Sequence, residues 1–79
     1  MKKTTLNEML QTMATKASLC NIYKAEGKYE KNFRECPFWS ELHGMITAMK
    51  IMGIEPEIEY TADVQKMLAI KANGIRVEI

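Results

Sequence analysis

The chain has 79 residues, of which 47% are hydrophobic and 27% are charged, and its formal net charge is +1. This length allows one domain with a thin core, and the composition is that of a globular protein rather than a disordered one. The low net charge argues against a strong polyanion binder. The sequence contains no run of about 18 apolar residues, which a membrane span would need.

The first residues, from Met1 to Leu6, begin like the charged start of a secretory signal. Polar residues follow at once, where a signal would need an apolar segment. We therefore expect a cytoplasmic protein in which Cys20 and Cys36 stay reduced thiols. In an oxidising compartment, two cysteines would allow one disulfide.

Residues 4–24 predict the first helix, because apolar residues recur there at steps of three and four. The apolar stripe consists of Leu6, Leu10, Met13, Ala17 and Cys20. Thr4 or Thr5 is expected to cap the first turn, with Glu8 three residues after Thr5 in capping-box spacing. Gly27 is the first strong signal for the end of the helix.

Residues 25–36 lack a clear period and predict a connector rich in charge. Cationic and aromatic side chains are interleaved from this segment into the next helix. They include Lys28, Tyr29, Lys31, Phe33, Arg34 and Trp39. This mixture is typical of a protein-binding hot spot. It is also typical of a single-stranded nucleic-acid platform, although three interspersed glutamates reduce the local charge. A third interpretation is a plain connector whose aromatic residues anchor it to the core.

Residues 37–52 predict the second helix. Pro37 fits its first position, where a backbone N–H is not needed, and Gly53 stands where a left-handed residue ends a helix. Gly44 lies inside the helix, where glycine costs about 1 kcal/mol relative to alanine, so we expect it to mark a close helix–helix crossing. The apolar stripe consists of Phe38, Leu42, Met45, Met49 and Met52.

Trp39 directly follows Phe38, so the two side chains lie about 100° apart around the helix axis. Since Phe38 belongs to the apolar stripe, Trp39 is expected to project to one side, towards the connector or a partner. Trp39 is therefore the first candidate for an interface residue.

From Ile54 onward the period changes to two, which predicts strands in a β-region covering residues 54–79. Asn73 and Gly74 predict a tight hairpin. The expected hairpin pairs are Ala72 with Ile75, Ile70 with Val77, and Leu68 with Ile79. The expected pairs with the first strand are Tyr60 with Leu68, Ile58 with Ile70, and Glu57 with Lys71. This register keeps apolar side chains on one face. It predicts an α+β fold, in which two amphipathic helices cover one face of a three-stranded antiparallel meander.

Residues 61–73 carry a competing pattern. Thr61 could cap a helix that runs through residues of high helix propensity and ends at Asn73 and Gly74. In that case the order of elements would be ααβαβ.

Glu55, Glu57 and Glu59 form a ladder on one face of the first strand. The ladder is interpreted either as an acidic solvent face that protects an edge strand or as a contact for a basic partner. Three carboxylates in a straight row do not surround a cation, so the ladder does not predict a metal site.

No recognisable catalytic motif is present in the sequence. Cys36 and His43 are seven residues apart, which corresponds to about 10 Å along a helix and is too far for a nucleophile and its base. The spacing of Cys20, Cys36 and His43 matches no common zinc arrangement. We therefore expect a protein that is not an enzyme and needs no cofactor.

Two parts of the chain resemble small bacterial phage or mobile-element proteins. They are the stretch from Glu41 to Glu55, at residues 41–45 and 50–55, and the stretch from Ala69 to Ile75. The resemblance implies an accessory factor, a class that includes phage proteins that inhibit a bacterial defence complex by binding it.

The connector and this resemblance together favour a non-enzymatic protein-binding module, with single-stranded nucleic-acid binding as the alternative. A homodimer is also expected, because two helices and a thin sheet leave apolar surface to be covered.

Overall fold

The helices and strands lie where the change in sequence period predicts them. A computed structural model describes residues 2–79, with all of their side chains except that of Phe33. The elements are α1 (Lys3–Ala25), a short 3-10 helix (Phe33–Glu35), α2 (Pro37–Ile51), β1 (Glu57–Tyr60), β2 (Met67–Ala72) and β3 (Ile75–Glu78). The strands form an antiparallel sheet in the order β1-β2-β3. The predicted α+β meander is thus confirmed, and the ααβαβ alternative is wrong.

The core lies between the two helices and one face of the sheet. Its buried residues are Leu6, Leu10, Met13, Ala17 and Cys20 of α1, Leu42 and Met49 of α2, Ile54, and Met67, Ile70 and Ala72 of β2. The predicted stripes of both helices supply most of this list. Met52 departs from its predicted stripe and is 52% exposed, because α2 has already ended at Ile51.

The predicted cap of α1 at Thr4 or Thr5 is wrong. The helix begins at Lys3, and Lys2 occupies the cap position in an extended conformation without a side-chain hydrogen bond. The N–H of Leu6 donates to the carbonyl of Lys2 at 3.0 Å. Leu6 is buried in the core, and its packing there places the start of the helix before Thr4 and Thr5.

Both helices end at a glycine, as the sequence predicts. After α2, Gly53 has a φ of +83°, and its N–H donates to the carbonyl of Lys50 at 3.0 Å. The N–H of Ile54 donates to the carbonyl of Met49 at 2.9 Å, which completes a Schellman motif. Met49 and Ile54 are both buried, so this motif also directs the chain from the helix into the core. Gly27, after α1, has a φ of +75°.

The hairpin between β2 and β3 has the predicted register. Asn73 and Gly74 have φ values of +49° and +81°, the pair of positive values that a type I′ turn requires. The pairs are Ala72 with Ile75, Lys71 with Arg76, Ile70 with Val77, and Ala69 with Glu78.

The pairing of β1 with β2 departs from the predicted register at a bulge in β2. The two strands pair as predicted from Glu57 to Glu59, but Tyr60 then lies opposite Met67 instead of Leu68. One extra residue in a strand changes the face that the following side chains occupy. Met67 is therefore buried, whereas Leu68 is 41% exposed. The prediction that Leu68 lies on the core face is wrong.

Gly44 does not mark a close helix crossing, so that prediction is also wrong. It lies on an exposed part of α2, and a Cβ atom placed there meets no other atom within 4 Å.

We expect Gly44→Ala to raise the free energy of unfolding by about 1 kcal/mol, because alanine favours the helix and restricts the unfolded chain. Gly53→Ala is the matched control: a Cβ there is equally free of contacts, but its φ of +83° disfavours alanine. This variant should lose about 1 kcal/mol. Urea unfolding followed by circular dichroism measures both values, and a loss of stability in Gly44→Ala would contradict the expectation.

Candidate functional site

A cleft lies where the end of α1, the connector and the start of α2 meet the turn between β1 and β2. Its volume is about 460 Å³. The lining residues are Cys20, Asn21, Lys24, Lys31, Asn32, Arg34, Trp39, Tyr60, Val64, Gln65 and Met67. Three predicted partner-binding residues, Lys31, Arg34 and Trp39, therefore come together here with residues of the β-region.

The floor of the cleft is apolar. Cys20 and Met67 are buried, and Trp39 is half-buried, packs against the core and lies edge-on to His43. Burial, followed by the neighbouring Cys36, raises the pKa of the Cys20 thiol to about 12. At neutral pH this thiol is protonated, so it acts as a small apolar group and not as a nucleophilic thiolate.

The rim of the cleft is cationic. Lys24, Lys31 and Arg34 are exposed and lie among its lining residues. Within the described part of the chain, no aspartate or glutamate lines the cleft. Asp63 lies in the adjacent turn, where hydrogen bonds from the Thr61 hydroxyl and the Gln65 N–H, with the charge of Lys24, lower its pKa. The cleft therefore presents positive charge above an apolar floor.

The turn between β1 and β2 forms the wall of the cleft that faces the connector. Hydrogen bonds within the turn hold this wall in position. The N–H of Thr61 donates to the carbonyl of Lys66 at 2.9 Å, and the N–H of Val64 donates to the carbonyl of Thr61 at 2.8 Å. Asp63 Oδ1 accepts from the Thr61 hydroxyl at 2.5 Å and from the Gln65 N–H at 3.2 Å. This network holds Val64 at a φ of +59°, a left-handed conformation that β-branched residues rarely adopt. The Val64 side chain is 59% exposed at the cleft.

Asn21 joins α1 to the start of β2. Its Oδ1 accepts from the N–H of Met67 at 3.0 Å, and its Nδ2 donates to the carbonyl of Met67 at 2.9 Å. The side-chain amide thus forms the same pair of hydrogen bonds with the Met67 backbone that a residue of a neighbouring strand would form. It holds Met67 in the floor of the cleft, next to the bulge.

Two other predicted residues of the connector pack away from the cleft. Lys28 Nζ lies 4.7 Å from the ring centroid of Tyr23 and 3.2 Å from Glu26 Oε2. Tyr29 lies edge-on to Tyr23, which in turn stacks on Phe38 at a centroid distance of 5.5 Å. These contacts anchor the start of the connector to the two helices. The side chain of Phe33, also a predicted partner-binding residue, lies outside the described part of the structure.

The glutamate ladder lies on the outer face of the sheet, where it meets cations of the same chain. Glu57 and Glu59 lie 3.5 and 3.7 Å from Lys71 Nζ, and Glu59 also pairs with Arg76 at 2.8 Å. Glu55 is exposed just before β1. The carboxylates of the ladder and the cations of the cleft therefore belong to separate surfaces.

Arg76 reaches across the middle strand of this face. Its Nε donates to Glu59 Oε2 at 2.8 Å, although Arg76 lies on β3 and Glu59 on β1. Ala69 lies between them on β2, opposite Glu59, and has no exposed surface. A side chain this small leaves room for the guanidinium group to cross the middle strand. Hydrogen bonds to Glu59 and Glu78 raise the pKa of Arg76.

Several lining residues were not predicted from the sequence. Tyr60 is 41% exposed at the cleft, where it ends an alternating strand and has no local feature that distinguishes it from a core residue. Gln65 is a polar residue of ordinary type, and only the packing of α1 against the β1–β2 turn brings it to the same site as Lys24. Their position depends on long-range contacts.

The described residues, 2–79, contain no group of three His, Cys, Asp or Glu side chains that could hold a metal ion. None of the helices seen in this range is long and apolar enough to cross a membrane. Comparison of the chain with protein-family models, curated proteins and solved structures finds no match. The case for a function therefore rests on the cleft.

We expect Asn21→Ala to lower the free energy of unfolding by about 2 kcal/mol, because it removes two hydrogen bonds and leaves backbone groups of Met67 unpaired. Asn7→Ala is the control on the same helix and should stay within about 0.5 kcal/mol of the wild type. Chemical unfolding measures both variants. Equal effects would show that the bonds to Met67 do not stabilise the fold.

Val64→Asn should raise the free energy of unfolding by about 1 kcal/mol, because asparagine tolerates the left-handed region that strains valine. The gain should be seen as a higher Tm in thermal unfolding. An unchanged or lower Tm would contradict the assignment of strain to this position.

Proposed function

We propose that this chain is a non-enzymatic protein-binding module, and that the cleft binds an acidic segment of its partner. The observation that carries the proposal is an apolar floor directly below a cationic rim. Trp39 and Met67 contribute to the floor, while Lys24, Lys31 and Arg34 contribute to the rim. This arrangement suits a segment in which a carboxylate lies beside an apolar side chain.

The size of the cleft supports a short segment as the ligand. Its volume of about 460 Å³ lies within the range of roughly 300–1,000 Å³ that is usual for ligand pockets. A site of this size accepts a few side chains. Trp39 is well placed as an anchor, because its packing against the core orders the ring before a partner arrives and so lowers the entropic cost of binding.

The charge of the rim supports an acidic ligand. Lys31 and Arg34 are exposed at the rim, and no aspartate or glutamate is among the described residues that line the cleft. Arg34 presents a planar group that suits a carboxylate in a two-bond arrangement. These cations would speed association with an acidic partner, and the effect would weaken as salt is added.

Single-stranded nucleic acid is the second candidate, because the same cations stand next to Trp39 and Tyr60. Base stacking needs an open aromatic face, and Trp39 is half-buried against the core. A strand of several nucleotides also needs a longer cationic groove than this cleft provides. These two points favour a protein segment.

We extend the proposal to a regulatory role in the cytoplasm, as the resemblance to phage and mobile-element proteins implies. A module of this kind would act by occupying an acidic surface of its target, such as a component of a bacterial defence complex.

The proposal can be tested with Trp39 as the reporter, because it is the only tryptophan in the chain. Peptides selected from a random library on the immobilised protein should combine Asp or Glu with apolar neighbours. Fluorescence titration with these peptides should show that Arg34→Glu weakens binding at least about tenfold, equivalent to about 1.4 kcal/mol.

Lys28→Glu is the matched control, since it makes the same charge change on the connector but outside the cleft, and it should leave the affinity nearly unchanged. Equal losses in the two variants would contradict a site in the cleft. Tighter binding of single-stranded oligonucleotides than of any selected peptide would instead favour the second candidate.

A further inference from the structure

The strand β3 has an open edge in the described part of the chain. It pairs with β2 on one side, and no strand of residues 2–79 pairs with its other side. The N–H of Ile79 donates to the carbonyl of Leu68 at 2.9 Å, so the backbone groups of Ile79 and Val77 point towards β2. Because this direction alternates along a strand, the N–H and C=O groups of Arg76 and Glu78 point to the open edge.

The sequence of this edge is complementary to itself in the antiparallel direction. If Val77 lies opposite Val77 of a second copy, Arg76 faces Glu78 and Ile75 faces Ile79. Opposite charges then meet on the outer face of the sheet, and apolar side chains meet on the inner face. Arg76 and Glu78 are also the residues with outward backbone groups, so each such pair exchanges both of its N–H···O bonds.

From this edge we propose that the protein forms a symmetric homodimer, in which β3 pairs antiparallel with β3 of a second copy. The interface uses the same surface of both chains, as a two-fold dimer requires. Two three-stranded sheets then become one continuous sheet, and neither β3 edge stays unpaired.

The face of α1 beside this edge suits the same partner. A groove of about 370 Å³ runs between α1 and β3. Its α1 side consists of Gln11, Ala14, Thr15, Ser18 and Leu19, none of which is charged. Since α1 packs on both β2 and β3, the two copies of α1 would lie on the same side of the joined sheet and close to its two-fold axis.

The dimer surface and the cleft are independent of each other. No residue of β3 lines the cleft, so both clefts of a dimer stay open. Two linked clefts would allow a partner with two acidic segments to bind with higher avidity. Loss of dimerisation and loss of ligand binding are therefore separate outcomes.

The first test measures mass against concentration by sedimentation equilibrium. Glu78→Pro removes an N–H that points to the open edge, which an edge strand tolerates, whereas Glu78→Ala removes the same carboxylate and keeps the N–H. We expect a wild-type dimer, and we expect Glu78→Pro to raise its Kd at least about tenfold relative to Glu78→Ala. Circular dichroism of both variants should match the wild type.

The second test uses the two-fold axis. In the proposed register Val77 faces itself in a pair without hydrogen bonds, with Cα atoms about 4.5 Å apart, which a disulfide can bridge. With oxidised glutathione as the oxidant, Val77→Cys should form a covalent dimer on a non-reducing gel. Ile75→Cys faces Ile79 in the other copy and should not.

A wild-type chain that stays monomeric at every soluble concentration would overturn the proposal. A dimer that is insensitive to Glu78→Pro, or that links Ile75→Cys as readily as Val77→Cys, would overturn it as well, because it would use another surface.

Discussion

The paired hydrogen bonds between the Asn21 side chain and the backbone of Met67 are the interaction on which the arrangement of this small protein depends. They are polar contacts at the edge of an apolar core, and they join residues 46 positions apart. They hold the first residue of β2 against α1 at the point where the strand register shifts. Met67 is thereby turned into the core, and the turn before it is brought against the connector. The cleft exists because these two segments meet there.

The charges of the chain are sorted into two surfaces of different character. On the outer face of the sheet, Glu57 and Glu59 form ion pairs with Lys71 and Arg76, and these pairs join neighbouring strands. At the cleft, cations of α1 and of the connector lie together above an apolar floor. The net charge of +1 does not reveal this separation, because it does not depend on where the charged side chains lie.

Much of the architecture follows from local patterns in the sequence. The period change near Ile54, the Asn73-Gly74 turn and the glycines after both helices were sufficient to predict the meander, because each acts over only a few residues. The bulge in β2 could not be predicted in this way, since it depends on the contact between Met67 and Asn21, which are distant in sequence. The open space around Gly44 and the early start of α1 likewise result from how the helices dock. For the cleft, the connector indicated Lys31, Arg34 and Trp39, whereas Tyr60 and Gln65 join them only through tertiary packing.

Ala69, in the middle strand that Arg76 crosses to reach Glu59, has an unusual environment. It lies on the outer face of the sheet between Glu59 and Glu78, yet it has no exposed surface. The height of the side chain, rather than its polarity, therefore sets which amino acids this position accepts. Serine would fit in this space, whereas valine or leucine would displace the side chains that surround it. A position that looks permissive in a hydropathy profile is in this way restricted in size.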